Sequence, residues 1–234
     1  MPTRVCPNFG AAVKEVAILL YEGFTALDAV GPYEIFASLP DTKVTFVATE
    51  RGEVRSDTLA LGLIADASLE DCPNPDIIVL PGGASTPQAA SDERIINWIK
   101  NAHQSSLYTT SVCTGAYLLG KAGLLKGMTM TTHWASKDYV GALCGAQYKA
   151  ERFIENGKIL TAAGVSAGID MALYLAAKLT DQAYAEAVQL ALEYDPQPPF
   201  HEGAISSAKE STVEKAKKLL YSRPDASFRT QKGT

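Results

Sequence analysis

Two kinds of hydrophobic pattern alternate along this chain. Short, continuous apolar runs are typical of strands covered on both faces, and longer stretches with apolar residues three or four apart are typical of helices. Apolar runs predict strands over residues 16–20, 76–80 and 107–112, and an alternating pattern predicts one over 43–49. Further strands are predicted over residues 128–132, 147–153 and 158–161. The helical spacing predicts helices over residues 31–38, 92–103, 114–120, 135–140, 167–179, 181–194 and 207–220.

This order of elements predicts an α/β fold. Strands that alternate with helices form a doubly wound, mainly parallel sheet flanked by helices, with right-handed crossovers. Residues 52–66 interrupt the alternation, and we expect them to form a hairpin or an edge arm. The chain has no internal repeat and no linker. We therefore predict one domain over residues 13–222, with loose segments over 1–12 and 223–234.

The composition narrows the class of protein. The 234 residues are 47% hydrophobic and 20% charged, which is typical of a soluble globular protein with a sizeable core. A net charge of −5 argues against a nucleic-acid surface, because such domains usually carry a basic patch. No apolar run reaches the roughly 18 residues that span a bilayer, and the N-terminus lacks the apolar region of a signal peptide. We expect a cytoplasmic protein with a small-molecule substrate and neither a nucleic-acid nor a membrane partner.

The cysteines and glycines argue against a bound metal or cofactor. None of the four cysteines forms a CxxC pair, and none lies with histidines at zinc-ligand spacing. We expect free thiols in a reducing compartment, because a chain of this size does not need disulfides to fold. The glycine-rich pieces lack the spacing of phosphate-binding and dinucleotide-binding loops. We predict no metal and no cofactor.

The stretch around Cys113 carries the clearest sign of chemistry. An apolar, β-branched strand ends on this cysteine, and a Thr-Gly pair then leads into a predicted helix. A reactive side chain on a sharp strand-to-helix turn has this layout. The positive end of the following helix favours the thiolate, which is the reactive form of cysteine. We predict that Cys113 is a nucleophile; the alternative is a buried structural cysteine.

Three other loops follow predicted strands, namely Phe24–Asp28, Pro81–Ala84 and His133 with Trp134. The carboxyl ends of the strands of a parallel sheet meet at one edge, so we expect these loops to share a crevice with Cys113. The glycines after Pro81 let the backbone approach a ligand closely, or they form a tight turn only. His133 is either the base of a Cys–His pair or a core histidine.

Asp28 is the candidate acid. Apolar neighbours shield it from water, and a carboxyl group that is shielded beside a thiolate keeps its proton more readily and can deliver it. The alternative is a surface carboxylate stabilised by the start of a helix. Glu34 is a second acid nearby, and we interpret it as a structural or dimer-edge residue.

Several motifs together resemble one known superfamily. The chain is similar to the ThiJ/PfpI superfamily, which has the flavodoxin-like, class I glutamine-amidotransferase-like fold, and most of all to its isonitrile (isocyanide) hydratase branch. The matching pieces are Leu27-Asp28, Gly31-Pro-Tyr-Glu-Ile-Phe36, Pro81-Gly-Gly-Ala84, Ser111-Val-Cys-Thr-Gly115, Ala122-Gly-Leu-Leu-Lys-Gly127, Thr131-Thr-His-Trp134, Ala167-Gly-Ile-Asp170, Leu192-Glu-Tyr194 and Pro198-Pro-Phe200.

This resemblance implies roles for the candidate residues. Cys113 matches the nucleophile, and Asp28 matches the acid that hydrogen-bonds its sulfur. The protease-like branch carries histidine after the cysteine, and Thr114 at that position argues against peptidase and amidotransferase activity. His133 matches a histidine near the nucleophile and, with Trp134, is expected to line the pocket. The family is typically homodimeric.

The implied reaction is a hydro-lyase reaction, the hydration of an isocyanide to an N-substituted formamide through a covalent thioimidate on Cys113. Asp28 supplies the proton, and the backbone N–H groups of Gly83 and Thr114 stabilise developing negative charge. Two alternatives stay open. One is a glyoxalase or deglycase that acts on α-keto aldehydes, and the other is a non-enzymatic redox or small-molecule sensor that works through oxidation of Cys113.

Overall fold

The structure of the chain, a computed structural model, describes residues 13–221. The predicted loose segments and the predicted domain boundary at residue 222 lie outside the described residues. The strands are β1 (Lys14–Leu19), β2 (Thr42–Ala48), β3 (Gly52–Arg55), β4 (Gly62–Ala65), β5 (Ala67–Ser68), β6 (Ile77–Leu80), β7 (Tyr108–Val112), β8 (Thr129–Met130), β9 (Gln147–Tyr148), β10 (Phe153–Asn156) and β11 (Ile159–Ala162). The helices are α1 (Ala26–Phe36), α2 (Thr86–Ala89), α3 (Glu93–Ser105), α4 (Ala116–Lys121), α5 (Lys137–Cys144), α6 (Ala167–Leu179), α7 (Gln182–Ala191) and α8 (Glu210–Tyr221).

The central sheet has seven strands in the order β10-β11-β7-β6-β1-β2-β5. Every neighbouring pair is parallel except β10 with β11, which confirms the prediction of a mainly parallel α/β sheet. The chain builds outward from β1 through β2 to β5, then returns to place β6 on the other side of β1. The order of the strands therefore reverses between β1 and β6, and the carboxyl ends of strands at such a point are where open α/β sheets bind ligands.

The middle strands are strongly apolar because both of their faces are covered. The last four residues of β1 and all four residues of β6 are buried. Each large aliphatic side chain that is removed from water contributes about 1.5–3 kcal/mol, so these strands fix the sheet and with it the loops at their carboxyl ends.

Helix α1 begins earlier than the sequence predicts. We placed its start near Gly31 because Pro32 disrupts a helix interior, but the helix begins at Ala26 and contains the proline. Pro32 lacks the N–H that would bond the carbonyl of Asp28, which costs about 3 kcal/mol. Complete burial of Ile35 and Phe36 offsets this loss. As a result, Asp28 lies in the first turn of the helix rather than in a preceding loop.

The smaller strands differ in part from the predicted ones. The expected hairpin is present, because β3 and β4 pair antiparallel within residues 52–66. The single strand predicted over 147–153 is wrong: β9 pairs with β8 in a separate two-stranded sheet, and β10 pairs with β11 across a turn at Gly157. Within residues 13–221, no helix is long and apolar enough to cross a membrane.

Candidate active site

Cys113 lies directly after β7, in a left-handed backbone conformation with φ 58°. A short 3-10 turn, Cys113–Gly115, then leads into α4. For a residue other than glycine this conformation costs roughly 1–2 kcal/mol, and such strain clusters at functional sites. The surroundings hold it in place, because the Cys113 N–H donates to the carbonyl of Ala163 at 3.1 Å and the Cys113 carbonyl accepts from the hydroxyl of Thr132 at 2.7 Å. The strand-to-helix elbow predicted from the sequence is therefore present.

Two glycines let this elbow pack against the end of β6. A Cβ at Gly115 would overlap the carbonyl oxygen of Leu80. A Cβ at Gly82 would lie 2.5 Å from the Thr114 hydroxyl and 3.0 Å from the Cys113 Cβ. Only glycine fits at these two positions without displacing the elbow.

Asp28 reaches the same place from α1. Its side chain is completely buried, and its Oδ2 accepts the Gly82 N–H at 2.9 Å. Three predicted loops thus meet at the strand-order reversal. The hydrogen bond from the Gly82 N–H also distinguishes the two carboxyl oxygens of Asp28, because the oxygen that accepts it is a poor place for a proton. A proton on Asp28 therefore belongs on Oδ1. Glu34 is exposed on α1, which leaves Asp28 as the acid beside Gly82.

A chain of buried hydroxyl groups supports the loop after β6. The Gly83 N–H donates to Thr114 Oγ1 at 2.9 Å, and Thr114 Oγ1 lies 2.9 Å from Thr86 Oγ1. Thr86 Oγ1 lies 2.9 Å from the hydroxyl of Tyr21, which donates to the carbonyl of Pro81 at 2.9 Å. Burial raises the pKa of Tyr21 well above its ordinary value, so the phenol stays neutral.

The sequence analysis missed two members of this series of hydroxyl groups, Tyr21 and Thr86. Tyr21 stands just after the first strand, at the same sheet edge as the other candidates, and that position was a signal in the sequence. Thr86 gave no such signal, because the four-residue helix α2 in which it lies has no recognisable periodicity.

The loop after β1 is held between two other segments. The Thr25 N–H donates to the carbonyl of Gly82, and the Asp57 N–H donates to the carbonyl of Phe24, both at 2.8 Å. The Thr25 hydroxyl adds a bond to Asp57 Oδ2 at 3.0 Å. The hairpin formed by β3 and β4 thereby supports the loop that leads to Asp28.

His133 lies beside Thr132, the residue that bonds the Cys113 carbonyl. Its Nδ1 accepts the N–H of Ala135 at 3.3 Å, and its ring centroid lies 5.5 Å from that of Trp134. The imidazole also packs so closely on Gly164 that a Cβ there would overlap it. The predicted role of His133 as a base stays a prediction.

A small cleft of about 10 Å³ opens beside Thr114. It is lined by Thr86, Pro87, Thr114, Tyr117, Ser136, Tyr139 and Val140. His133 and Trp134, which we expected to line the pocket, do not line this cleft. The stacked rings of Tyr117 and Tyr139 form one wall, with their hydroxyl oxygens 3.0 Å apart. Among the residues that the structure describes, no group of three or more His, Cys, Asp or Glu side chains is placed to hold a metal ion.

Comparison with known proteins agrees with this fold and this elbow. Residues 14–178 match the DJ-1/PfpI family, and the chain belongs to that family. Among curated proteins it is similar to the isonitrile hydratase of Pseudomonas putida, with 40% identity over 217 residues that cover 93% of each chain.

Solved structures show the same relationship. A ThiJ/PfpI family protein from Pseudomonas syringae superposes with a TM-score of 0.84 and 36% identity, and the match covers 94% of this chain and 92% of that one. A DJ-1 superfamily protein from Salmonella typhimurium gives a TM-score of 0.68 and 27% identity over 79% of this chain and 100% of the other.

Proposed function

We propose that this protein hydrates isocyanides to N-substituted formamides, with Cys113 as nucleophile and Asp28 as acid. The observation that carries the proposal is the 40% identity to an isonitrile hydratase over 93% of both chains. Two features of the site support it. Cys113 stands on a strained elbow, and a completely buried carboxyl group is fixed to the loop that packs against that elbow.

The first step forms a carbon–sulfur bond. The terminal carbon of an isocyanide, R–N≡C, is electrophilic, and the Cys113 thiolate attacks it. The same carbon takes a proton from Oδ1 of Asp28, which gives the thioimidate R–N=CH–S–Cys113 and leaves Asp28 ionised. Fixing the acid within reach of the carbon is worth about 10²–10⁴-fold in rate.

The second step releases the product. Water adds to the thioimidate carbon, with one of its protons going to the nitrogen. The resulting R–NH–CH(OH)–S–Cys113 then collapses: the carbon–oxygen double bond forms, the carbon–sulfur bond breaks, and the hydroxyl proton returns to Asp28. Covalent catalysis thus divides one difficult addition into two easier ones and regenerates both residues.

The test is turnover of cyclohexyl isocyanide by the purified protein, followed through the formyl proton of N-cyclohexylformamide by NMR. We expect the wild type to turn over, and Cys113→Ala and Asp28→Asn each to lose at least about 100-fold in kcat/KM. Asp28→Asn keeps an oxygen for the Gly82 N–H but has no acidic proton. An acid-quenched single turnover should show the mass of the isocyanide added to the peptide that contains Cys113.

Cys72→Ala is the matched control. This buried thiol lies outside the site, and burial raises its pKa to about 12, so its loss should leave turnover unchanged. Absence of turnover in the wild type, or full activity in Cys113→Ala, would overturn the proposal.

The same preparations separate the two alternatives. Conversion of methylglyoxal to lactate without isocyanide turnover would establish a glyoxalase instead. Selective oxidation of Cys113 by dilute peroxide, with neither substrate converted, would favour a sensor. We keep the hydratase because the family relative with the matching length is named for that reaction.

We also propose that the protein acts as a homodimer in a reducing cytoplasm. Large apolar side chains are exposed near the C-terminal end of the described chain, including Leu190, Phe200 and Leu219, and such surfaces commonly mark interfaces. Cys72, Cys113 and Cys144 are all free thiols. Light scattering of the wild type tests the dimer, and Phe200→Ser should weaken it if this surface is the interface.

A further inference from the structure

The side chain of Thr114 accepts a hydrogen bond from a backbone N–H group beside Cys113, the proposed nucleophile. Its Oγ1 accepts the Gly83 N–H at 2.9 Å, lies 2.9 Å from Thr86 Oγ1, and lies 3.2 Å from the Gly83 carbonyl oxygen. Only 4% of the Thr114 surface is exposed. The sequence suggested that this N–H would stabilise negative charge on a substrate, whereas in the structure a side chain already holds it.

The surrounding hydroxyl groups keep Thr114 in this orientation. Thr86 donates to the Gly83 carbonyl at 2.7 Å and contacts both Thr114 and Tyr21. Tyr21 in turn is tied to Pro81, on the same loop as Gly83. Turning the Thr114 hydroxyl away would therefore leave the buried Gly83 N–H without a hydrogen-bond acceptor, which is unfavourable.

This arrangement separates two kinds of chemistry at Cys113. When a thiolate attacks an ester or amide, the carbonyl electron pair moves to oxygen, and N–H donors must meet that oxyanion. Attack on an isocyanide places the charge on carbon, where an acid quenches it, and builds no oxyanion. We propose that the Thr114 hydroxyl closes the oxyanion site of this elbow by holding its Gly83 donor, which makes Thr114 the residue that excludes acyl transfer. The proposal concerns a second reaction and does not rest on the isocyanide activity.

Removal of the hydroxyl should reveal the excluded reaction. In Thr114→Ala the Gly83 N–H is left without Oγ1, and the vacated space joins the cleft lined by Pro87 and Tyr117. The Cys113 thiolate then attacks the carbonyl carbon of p-nitrophenyl acetate, and the resulting oxyanion accepts a hydrogen bond from the Gly83 N–H. Collapse re-forms the carbonyl and breaks the ester carbon–oxygen bond, which releases p-nitrophenolate. Water hydrolyses the resulting thioester to acetate, the free thiolate and two protons.

The experiment measures p-nitrophenolate release by the wild type and by three variants at one position. Thr114→Ala should acylate at least about 10-fold faster than the wild type, a small part of what one oxyanion donor is worth. Thr114→Ser retains the hydroxyl and Thr114→Val fills its space with a methyl group, so neither should gain. The double variant with Cys113→Ala should lose the gain, which assigns it to this thiol.

Each result decides the proposal. Equal rates of p-nitrophenolate release in Thr114→Ala and the wild type would overturn the proposal. A gain in Thr114→Ser or Thr114→Val as large as that in Thr114→Ala would also overturn it, because release of the Gly83 N–H would then not explain the faster rates. If Thr114→Ala does not fold, hydrogen exchange of the Gly83 amide in the wild type decides instead: the structure requires protection, and rapid exchange would refute the block. Isocyanide turnover, measured in parallel, reports the proposed function separately.

Discussion

Gly82→Ala should displace Asp28 relative to Cys113, the acid and the nucleophile of the proposed function. A Cβ at this position would lie 2.5 Å from the Thr114 hydroxyl, where ordinary contacts begin at 3.4 Å, and 3.0 Å from the Cys113 Cβ. The loop must therefore move by about 1 Å relative to the elbow. The Gly82 loop resists this movement, because the Gly82 N–H donates to Asp28 and the Gly82 carbonyl accepts the N–H of Thr25.

The expected losses follow from this displacement. Overpacking of a tightly packed site costs about 2 kcal/mol in the free energy of unfolding, which corresponds to a fall in Tm of about 4–8 °C for a chain of this size. Under the proposed function, a shift of about 1 Å between Cys113 and Asp28 lowers turnover by about 100-fold. Calorimetry gives the first quantity. Isocyanide turnover gives the second, and the rate of Cys113 alkylation at fixed pH gives a measure of the elbow that does not depend on the substrate.

Gly203→Ala is the matched control, because a Cβ there meets nothing within 4 Å and the backbone does not require glycine. Its Tm and turnover should stay at or slightly above the wild-type values. A Gly82→Ala protein with wild-type Tm and turnover would show that the close approach of the two loops is not needed, and the account of the site given above would be wrong.

Three further predictions concern stability and thiol reactivity. Ser111 is completely buried and its hydroxyl has no hydrogen-bond partner among residues 13–221, so Ser111→Ala should raise the free energy of unfolding by about 1 kcal/mol. Thr110→Val loses a hydrogen bond to the Ile78 carbonyl and should lower that free energy by about the same amount. Urea titrations measure both changes. Burial lowers the pKa of His103, so the folded state keeps it neutral and its stabilisation is lost as pH falls below the unfolded value of about 6.5. The loss of stability from pH 7 to pH 5 should therefore be smaller in His103→Gln, and an equal loss would contradict the assignment. Burial raises the pKa of Cys72 to about 12 and that of Cys144 to about 11, so peptide mapping after iodoacetamide treatment at pH 8 should find both unmodified until the protein unfolds.

Much of the fold could be predicted because local pattern and tertiary environment agree. Helix α6 matches its predicted range, since its apolar spacing coincides with the face that it buries. The start of helix α1 was misplaced because Pro32 indicates a helix start when only the local sequence is considered. Burial of Ile35 and Phe36 offsets the loss of stability from a proline in the helix interior. Strand β9 was misplaced because the short stretch 147–153 does not itself determine where a strand ends or which strand it pairs with.

The sequence by itself indicated the candidate residues for the chemistry. Cys113, Asp28 and the glycines after Pro81 were identifiable because each follows a strand, and parallel strands bring their carboxyl ends to one edge. The resemblance to the family added that Thr114, in place of the histidine of the protease-like branch, argues against peptide hydrolysis.

Only the tertiary structure decided which partners these groups have. Hydrogen bonds between residues far apart in sequence leave no periodic signal, so the chain from Tyr21 through Thr86 to Thr114 was invisible until the fold was known. The same holds for the Gly83 N–H, which sequence reasoning assigned to the substrate and the structure assigns to Thr114. The positions of the loops follow from hydrophobic periodicity, whereas the direction of a single N–H depends on contacts made across the whole sheet.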